Sequence, residues 1–232
     1  MYYPFFYDST YILVLIGVIV SMMASAKLNA TYQRYSAVRS MCGLTGAEAA
    51  KRLLNSQGIY DVTIRRVPGS LTDHYDPRSK TVNLSDAVYG STSIAAIGVA
   101  AHECGHAMQD AADYSPLRIR AALVPAANLG SQLAWPLILV GLLLGSGGSG
   151  LAFAGIVLFS LAVLFQLVTL PVEYNASHRA VTLLDSTGIL AGQEVGQTRS
   201  VLNAAALTYV AAAAASILQL LRLLMLFNRR RD

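Results

Sequence analysis

Residues 129–170 read LGSQLAWPLILVGLLLGSGGSGLAFAGIVLFSLAVLFQLVTL, two apolar runs without a charged residue, separated by Gly145-Ser146-Gly147-Gly148-Ser149-Gly150. Each run, Leu129 to Gly145 and Leu151 to Leu170, is close to the roughly 20 residues needed to cross the hydrocarbon of a bilayer. Six small residues between two spans leave room only for an antiparallel hairpin, and the glycines and serines predict a short flexible loop. The outer ends of the hairpin therefore return to one side of the membrane. The chain that ends at Leu123 and the chain that starts at Pro171 are neighbours by this argument.

The composition agrees. Hydrophobic residues make up 54% of the 232 and charged residues 13%, where a soluble domain carries about a quarter charged, and the mean hydropathy is +0.49. A disordered chain and an ordinary soluble globule are both excluded. The net charge of +4 does not point to nucleic acid, because the basic residues are scattered apart from Arg229, Arg230 and Arg231. They read as topology and headgroup charges. Two cysteines, Cys42 and Cys104, make neither a disulfide framework nor a zinc ribbon.

Working outward, Tyr11 to Ala26 is a further uncharged block, with Asp8 ahead of it and Lys27, Arg34 and Arg39 after it. A signal peptide carries its positive charge ahead of the apolar core. Despite the small residues Ala24, Ser25 and Ala26, this segment reads as an uncleaved anchor with a cytoplasmic C-terminal flank. The last stretch, Val201 to Phe227, is alanine-rich and carries Gln219 and Arg222, so it either spans or lies as a partly interfacial helix.

Between the anchor and the hairpin, Lys27 to Leu123 turns globular. Thr45-Gly46-Ala47-Glu48 predicts a capped amphipathic helix ended by Gly58. Val62 to Val67, Leu71 to Tyr75 and Thr81 to Leu84 predict short strands. A second helix is predicted from Ser91-Thr92-Ser93 through and beyond His106.

That second helix contains His102-Glu103-Cys104-Gly105-His106, a His-Glu-x-x-His motif. Residues four apart on a helix share a face, so both imidazoles can bind one Zn²⁺ while Glu103 holds the attacking water. With four histidines and four glutamates in the chain, a chance match is expected on the order of once in a thousand such sequences. A catalytic zinc commonly has three protein ligands. The metzincin extension is absent, since Gln109 and Ala112 stand where its glycine and histidine would be.

The third ligand lies elsewhere. His74, His178, Glu48, Glu173 and Glu194 are the remaining histidines and glutamates, and Glu173 is the best placed. Pro171-Val172-Glu173 follows the third span, reads as a helix start, and is returned by the hairpin to the side of His102 and His106. His178 could donate to a developing oxyanion. His74 and Tyr75 lie in a strand that could border the cleft and contact substrate. Asp110 and Asp113 could hold the ligand histidines from behind. Cys104 reads as a packed helix residue.

These residues carry a resemblance. Ser70-Leu71-Thr72-Asp73-His74-Tyr75-Asp76-Pro77, the Ala101 to Asp110 motif, Leu123-Val124-Pro125, Val168-Thr169-Leu170-Pro171-Val172-Glu173 and Val201-Leu202-Asn203-Ala204-Ala205-Ala206-Leu207-Thr208-Tyr209 resemble the YugP-type membrane zinc metallopeptidases of bacteria. The layout is more distantly similar to the gluzincin membrane proteases HtpX and the CAAX prenyl proteases. The resemblance implies a peptide hydrolase with one Zn²⁺ per chain held by His102, His106 and Glu173, and Glu103 as general base. In the family an acidic residue often stands where this chain has Asn175.

The expected fold is a mainly α integral membrane protein with three to four transmembrane helices and a small zincin-like α+β catalytic part. Residues 1–28 would be the anchor, 29–124 the catalytic part with the motif helix, and 125–170 the hairpin. Residues 171–200 would be a second catalytic segment, and 201–232 an apolar helix with a basic tail. The expected function is hydrolysis of peptide bonds in membrane-protein processing or quality control, with the bilayer and a peptide or membrane-protein substrate as partners and no nucleic acid. The alternatives are a zinc hydrolase of a non-peptide amide or lipid-linked substrate, and a membrane scaffold with structural zinc. The expected location is the bacterial inner membrane, multi-pass. Lys27, Arg34, Arg39, Arg118, Arg120, Arg179 and Arg199 favour a cytoplasmic active site, and Arg229, Arg230 and Arg231 oppose it if the last segment spans.

Overall fold

The computed structural model describes residues 9–228; Asp8 and Arg229, Arg230 and Arg231 lie outside the described residues. The chain is a mainly α membrane protein with a small sheet. Among the described residues, four helices are long and apolar enough to cross a membrane: α1 (Tyr11–Ser36), α5 (Ser115–Leu143), α6 (Ser149–Ser186) and α7 (Gln193–Asn228). Between α1 and α5 come α2 (Gly46–Ser56), β1 (Thr63–Val67), β2 (His74–Asp76), β3 (Thr81–Ser85), α3 (Asp86–Tyr89) and α4 (Ile94–Ala111).

The chain divides into two compact units. One takes the chain up to Ser25, Ile119–Thr169 and the chain from Thr208; the other takes Ala26–Arg118 and Leu170–Leu207. In the first, α5 and α6 are joined by a 3-10 turn, Gly145–Gly148, so the expected flexible loop is shorter and more ordered than six free residues. The helices touch closely because Gly141 lacks a side chain: a Cβ there would lie 2.4 Å from the Ala152 nitrogen. Ser216 of α7 donates to the Gln166 Oε1 of α6 at 3.1 Å. In the absence of water, such a polar tie is satisfied inside the bundle.

The second unit is built around α4. Its small residues, Ala95, Ala96, Ala100, Ala101, Cys104 and Ala107, are buried on nearly all sides, which lets several elements approach its axis. Against it pack Leu53 and Leu54 of α2, Val82 and Leu84 of β3, and Ala180 and Leu184 of α6. Helix α2 begins with a capping box, in which Thr45 Oγ1 accepts from the Glu48 amide and the Glu48 carboxylate accepts from the Thr45 amide. Ser93 Oγ caps α4 by accepting from the Ala96 amide. In the three-stranded sheet β3 is central, parallel to β1 and antiparallel to β2.

Three expectations change. The second strand does not start at Leu71, which has a left-handed φ of 58° and so cannot lie in a ladder; only His74–Asp76 is extended. No helix starts at Pro171. Helix α6 passes through it unbroken: one proline removes one hydrogen bond, and the burial of Val172, Ala176 and Ala180 just beyond it offsets that loss. Glu173 is thus in a helix interior, and first-turn dipole stabilisation does not explain it. The last helix is a single rod from Gln193, eight residues before the expected apolar start at Val201.

Gly105, inside the motif, is where α4 meets α6: a Cβ there would sit 2.4 Å from the Ala176 carbonyl oxygen. Gly105→Ala is expected to destabilise this unit by about 1–3 kcal/mol through overpacking. A lowered denaturant midpoint of the detergent-solubilised protein checks this; an unchanged midpoint would mean the two backbones are not in contact.

Candidate metal centre

Helix α4 presents His102 and His106 one turn apart, their ring centroids separated by 4.8 Å. Helix α6 presents Glu173 from the opposite side. The Glu173 Oε2 lies 3.2 Å from His102 Nε2 and 3.6 Å from His106 Nε2, although 71 residues separate Glu173 from His102. These three side chains are the one group of metal-ligating type found together among the described residues, with ligand atoms within 4.8 Å of one another.

The donor set fits zinc. Nitrogen and oxygen ligands held at 2.0–2.1 Å in a tetrahedron are about 3.3 Å apart, close to both spacings. Glu173 is 3% exposed and His106 8%, so a cation here would be largely shielded from water. Burial alone lowers the affinity of His106 for a proton, but the Glu173 carboxylate, the charge of Glu103 and the Gln109 contact outweigh it and raise its pKa above the ordinary histidine value. The pocket is therefore negative, as a cation site must be.

Both histidines are gripped from behind. His102 Nδ1 is 3.1 Å from Ser177 Oγ, and His106 Nδ1 is 3.0 Å from Gln109 Oε1. Gln109 Nε2 in turn donates to the Val172 carbonyl at 2.8 Å and to Asn175 Oδ1 at 3.0 Å. The expectation that Asp110 and Asp113 serve these histidines is corrected. Asp110 accepts instead from Tyr75 Oη at 2.9 Å, and Asp113 pairs with Arg118. Asp110 follows Gln109 by one residue and so points to another face of α4, toward β2, and Asp113 lies beyond the end of that helix at Ala111, which leaves Gln109 and Ser177 to reach the imidazoles. Sequence reasoning missed both, though each is a polar residue at helical spacing from a ligand, three after His106 and four after Glu173.

The other sequence candidates are placed as follows. Glu103 is buried next to His102. Tyr75, on the edge strand β2, is half-buried; burial and the Asp110 carboxylate raise its pKa, so the phenol stays protonated and donates. His74 is exposed, with Nδ1 2.8 Å from the Thr72 carbonyl and Nε2 3.1 Å from Asn83 Nδ2. His178 is exposed on α6. The structure brings neither His74 nor His178 into the group of three. Asn175 Oδ1 accepts from both Gln109 and Arg179 Nε, as an acid at that position also could.

Cys104 is fully buried, its thiol raised far above the usual range by burial and directed at the Ala50 carbonyl. Cys42 is half-buried. Maleimide should label Cys42 in the folded protein and Cys104 only after unfolding, read by mass spectrometry. Equal labelling of the folded chain would contradict the packing of α2 on α4.

A family model described as "putative neutral zinc metallopeptidase" matches residues 10–228. A curated protein of Bacillus subtilis (strain 168), "Putative membrane protease YugP", is 48% identical over 213 residues, which cover 92% of this chain and 94% of that protein. No solved structure matches. The chain belongs to this zinc metallopeptidase family.

Proposed function

We propose that this family member is a membrane-embedded peptidase with one zinc per chain, held by His102, His106 and Glu173, and with Glu103 as general base. The single observation that carries the reading is the convergence of two helix-paired imidazoles on one buried carboxylate, with a second buried carboxylate, Glu103, whose charge acts on His106. Zinc at such a site polarises a carbonyl and makes water more acidic. Glu103 takes the proton of the attacking water as the oxygen bonds to the scissile carbon. It then passes that proton to the leaving amine as the carbon–nitrogen bond breaks.

Strand β2 is an edge strand, since β3 is its partner on one side in the order β1-β3-β2. An extended peptide can add to such an edge through its backbone, and His74 and Tyr75 on β2 are the residues that would flank it. His178 on α6 remains a candidate contact for the developing oxyanion. The substrate class we infer is a peptide segment of a membrane protein, consistent with processing or quality control. Lys27, Arg34, Arg39, Arg118, Arg120, Arg179 and Arg199 outnumber Arg229, Arg230 and Arg231 and support a cytoplasmic site in the bacterial inner membrane.

Glu103→Gln and Glu173→Gln are expected to fail differently. Losing the base should lower peptide hydrolysis on the order of 10² to 10⁴ with zinc retained. Losing a charged ligand should lower zinc content and activity together. Zinc analysis and hydrolysis of a membrane-protein mixture check both. Parental activity in Glu103→Gln would end the peptidase mechanism, and parental zinc in Glu173→Gln would move the third ligand elsewhere.

Sidedness has its own test. Single cysteines at Ser79 and Gly192, in a background lacking Cys42 and Cys104, should both be shielded from an impermeant reagent in intact cells and react after lysis. Labelling of both in intact cells would put the site on the outer face.

A further inference from the structure

Gln109 is 0% exposed, and its amide sits in a network that leaves no freedom of orientation. The network starts at Arg179, whose Nε can only donate and lies 2.8 Å from Asn175 Oδ1. That contact fixes which Asn175 atom is the oxygen. An oxygen at that point requires the Gln109 atom facing it at 3.0 Å to be the NH₂ group, and the Val172 carbonyl at 2.8 Å requires the same. The Gln109 oxygen is therefore the atom that faces His106 Nδ1 at 3.0 Å. It can only accept, so Nδ1 carries the hydrogen. In neutral His106 the lone pair is then on Nε2, the nitrogen that faces Glu173.

His102 is held differently. Its Nδ1 faces the Ser177 hydroxyl, which can donate or accept and so selects neither tautomer. We propose that Gln109, locked by Asn175 and Arg179, is a positioning residue that presents the Nε2 lone pair of His106 to the metal and thereby sets how tightly the metal is held. The inference rests on the zinc reading above. Its physical basis is general: the hydrogen bond behind a ligand imidazole fixes tautomer and ring orientation, and its loss typically weakens metal binding about 10–100-fold. The network also crosses from α4 to α6, so it ties together the two helices that carry the ligands.

The test is zinc affinity by chelator competition on the full chain in detergent, with the unfolding midpoint of the metal-free protein measured alongside. Gln109→Met removes the acceptor at nearly constant volume, and Asn175→Leu removes the group that orients it. Gln109→Met should lose about 10–100-fold in zinc affinity, and Asn175→Leu, which leaves the Val172 carbonyl as the one remaining anchor of the amide, should lose a smaller but measurable factor. Asn175→Asp keeps an oxygen that accepts from Gln109 and Arg179, and should bind zinc like the parent. A purely structural role would lower the metal-free midpoint and leave the affinity of the folded protein unchanged. The inference is overturned if folded Gln109→Met or Asn175→Leu binds zinc as tightly as the parent, or if Asn175→Asp loses as much as Asn175→Leu. Should Gln109→Met not fold, the Asn175 pair decides alone. A parent chain that binds no zinc would overturn the zinc reading and this inference together, whereas unchanged affinity in the variants leaves the zinc reading standing.

Discussion

The contact between α4 and α6 is the constraint on which the site depends. At Gly105 the backbone of α4 lies directly against the Ala176 carbonyl of α6, closer than any side chain would allow. The helices run antiparallel there: His102 meets Ser177, His106 meets Glu173, and Gln109 meets Val172. One helical turn advances about 5.4 Å, so residues about a turn apart on α4 meet successively earlier residues of α6, with Glu173 facing both imidazoles. A shift of one residue along either helix would turn every partner to another face. Glycine inside the motif thus serves geometry, since it lets the histidines on either side of it reach Glu173.

The same contact sets the electrostatics. A carboxylate as buried as Glu173 loses most of its hydration, which is expensive unless the charge is matched. Two imidazoles face it, and a divalent cation would match it more fully than either. Polar contacts behind the imidazoles finish the arrangement, so that few groups in the pocket retain freedom to turn. Such fixed donors and acceptors are what an electrostatic site needs, since they need not reorganise when charge develops.

The small sheet is tied to this helix pair through Tyr75, whose hydroxyl donates to Asp110 one turn beyond His106. An edge strand and the helix that carries His102 and His106 are thereby held in one register. Most of the remaining chain is long apolar helix, and the globular part is correspondingly small. Its core relies on alanine-rich α4 and on Leu53, Leu54, Leu84 and Leu184 to bring two helices and a strand onto one axis.

The sequence alone determined the features written in local periodicity and in residue chemistry. Uncharged runs near 20 residues define spans because a bilayer has one thickness. The capping box at Thr45 and Glu48 defines a helix start because four amides there need acceptors. His102 and His106 share a face because a helix has 3.6 residues per turn. Glu173 was within reach because a hairpin must return the chain to its starting side. What only the tertiary structure decided was everything that depends on two separated segments meeting in register. Pro171 does not break α6, because the burial of Val172, Ala176 and Ala180 beyond it offsets one missing hydrogen bond. Gln109 and Ser177, and not Asp110 and Asp113, hold the histidines, and Asn175 holds Gln109. Spacing within one helix cannot reveal that choice, since a side chain's partner is set by the axis and rotation of the facing helix, and those follow from packing at Gly105 and Ala176.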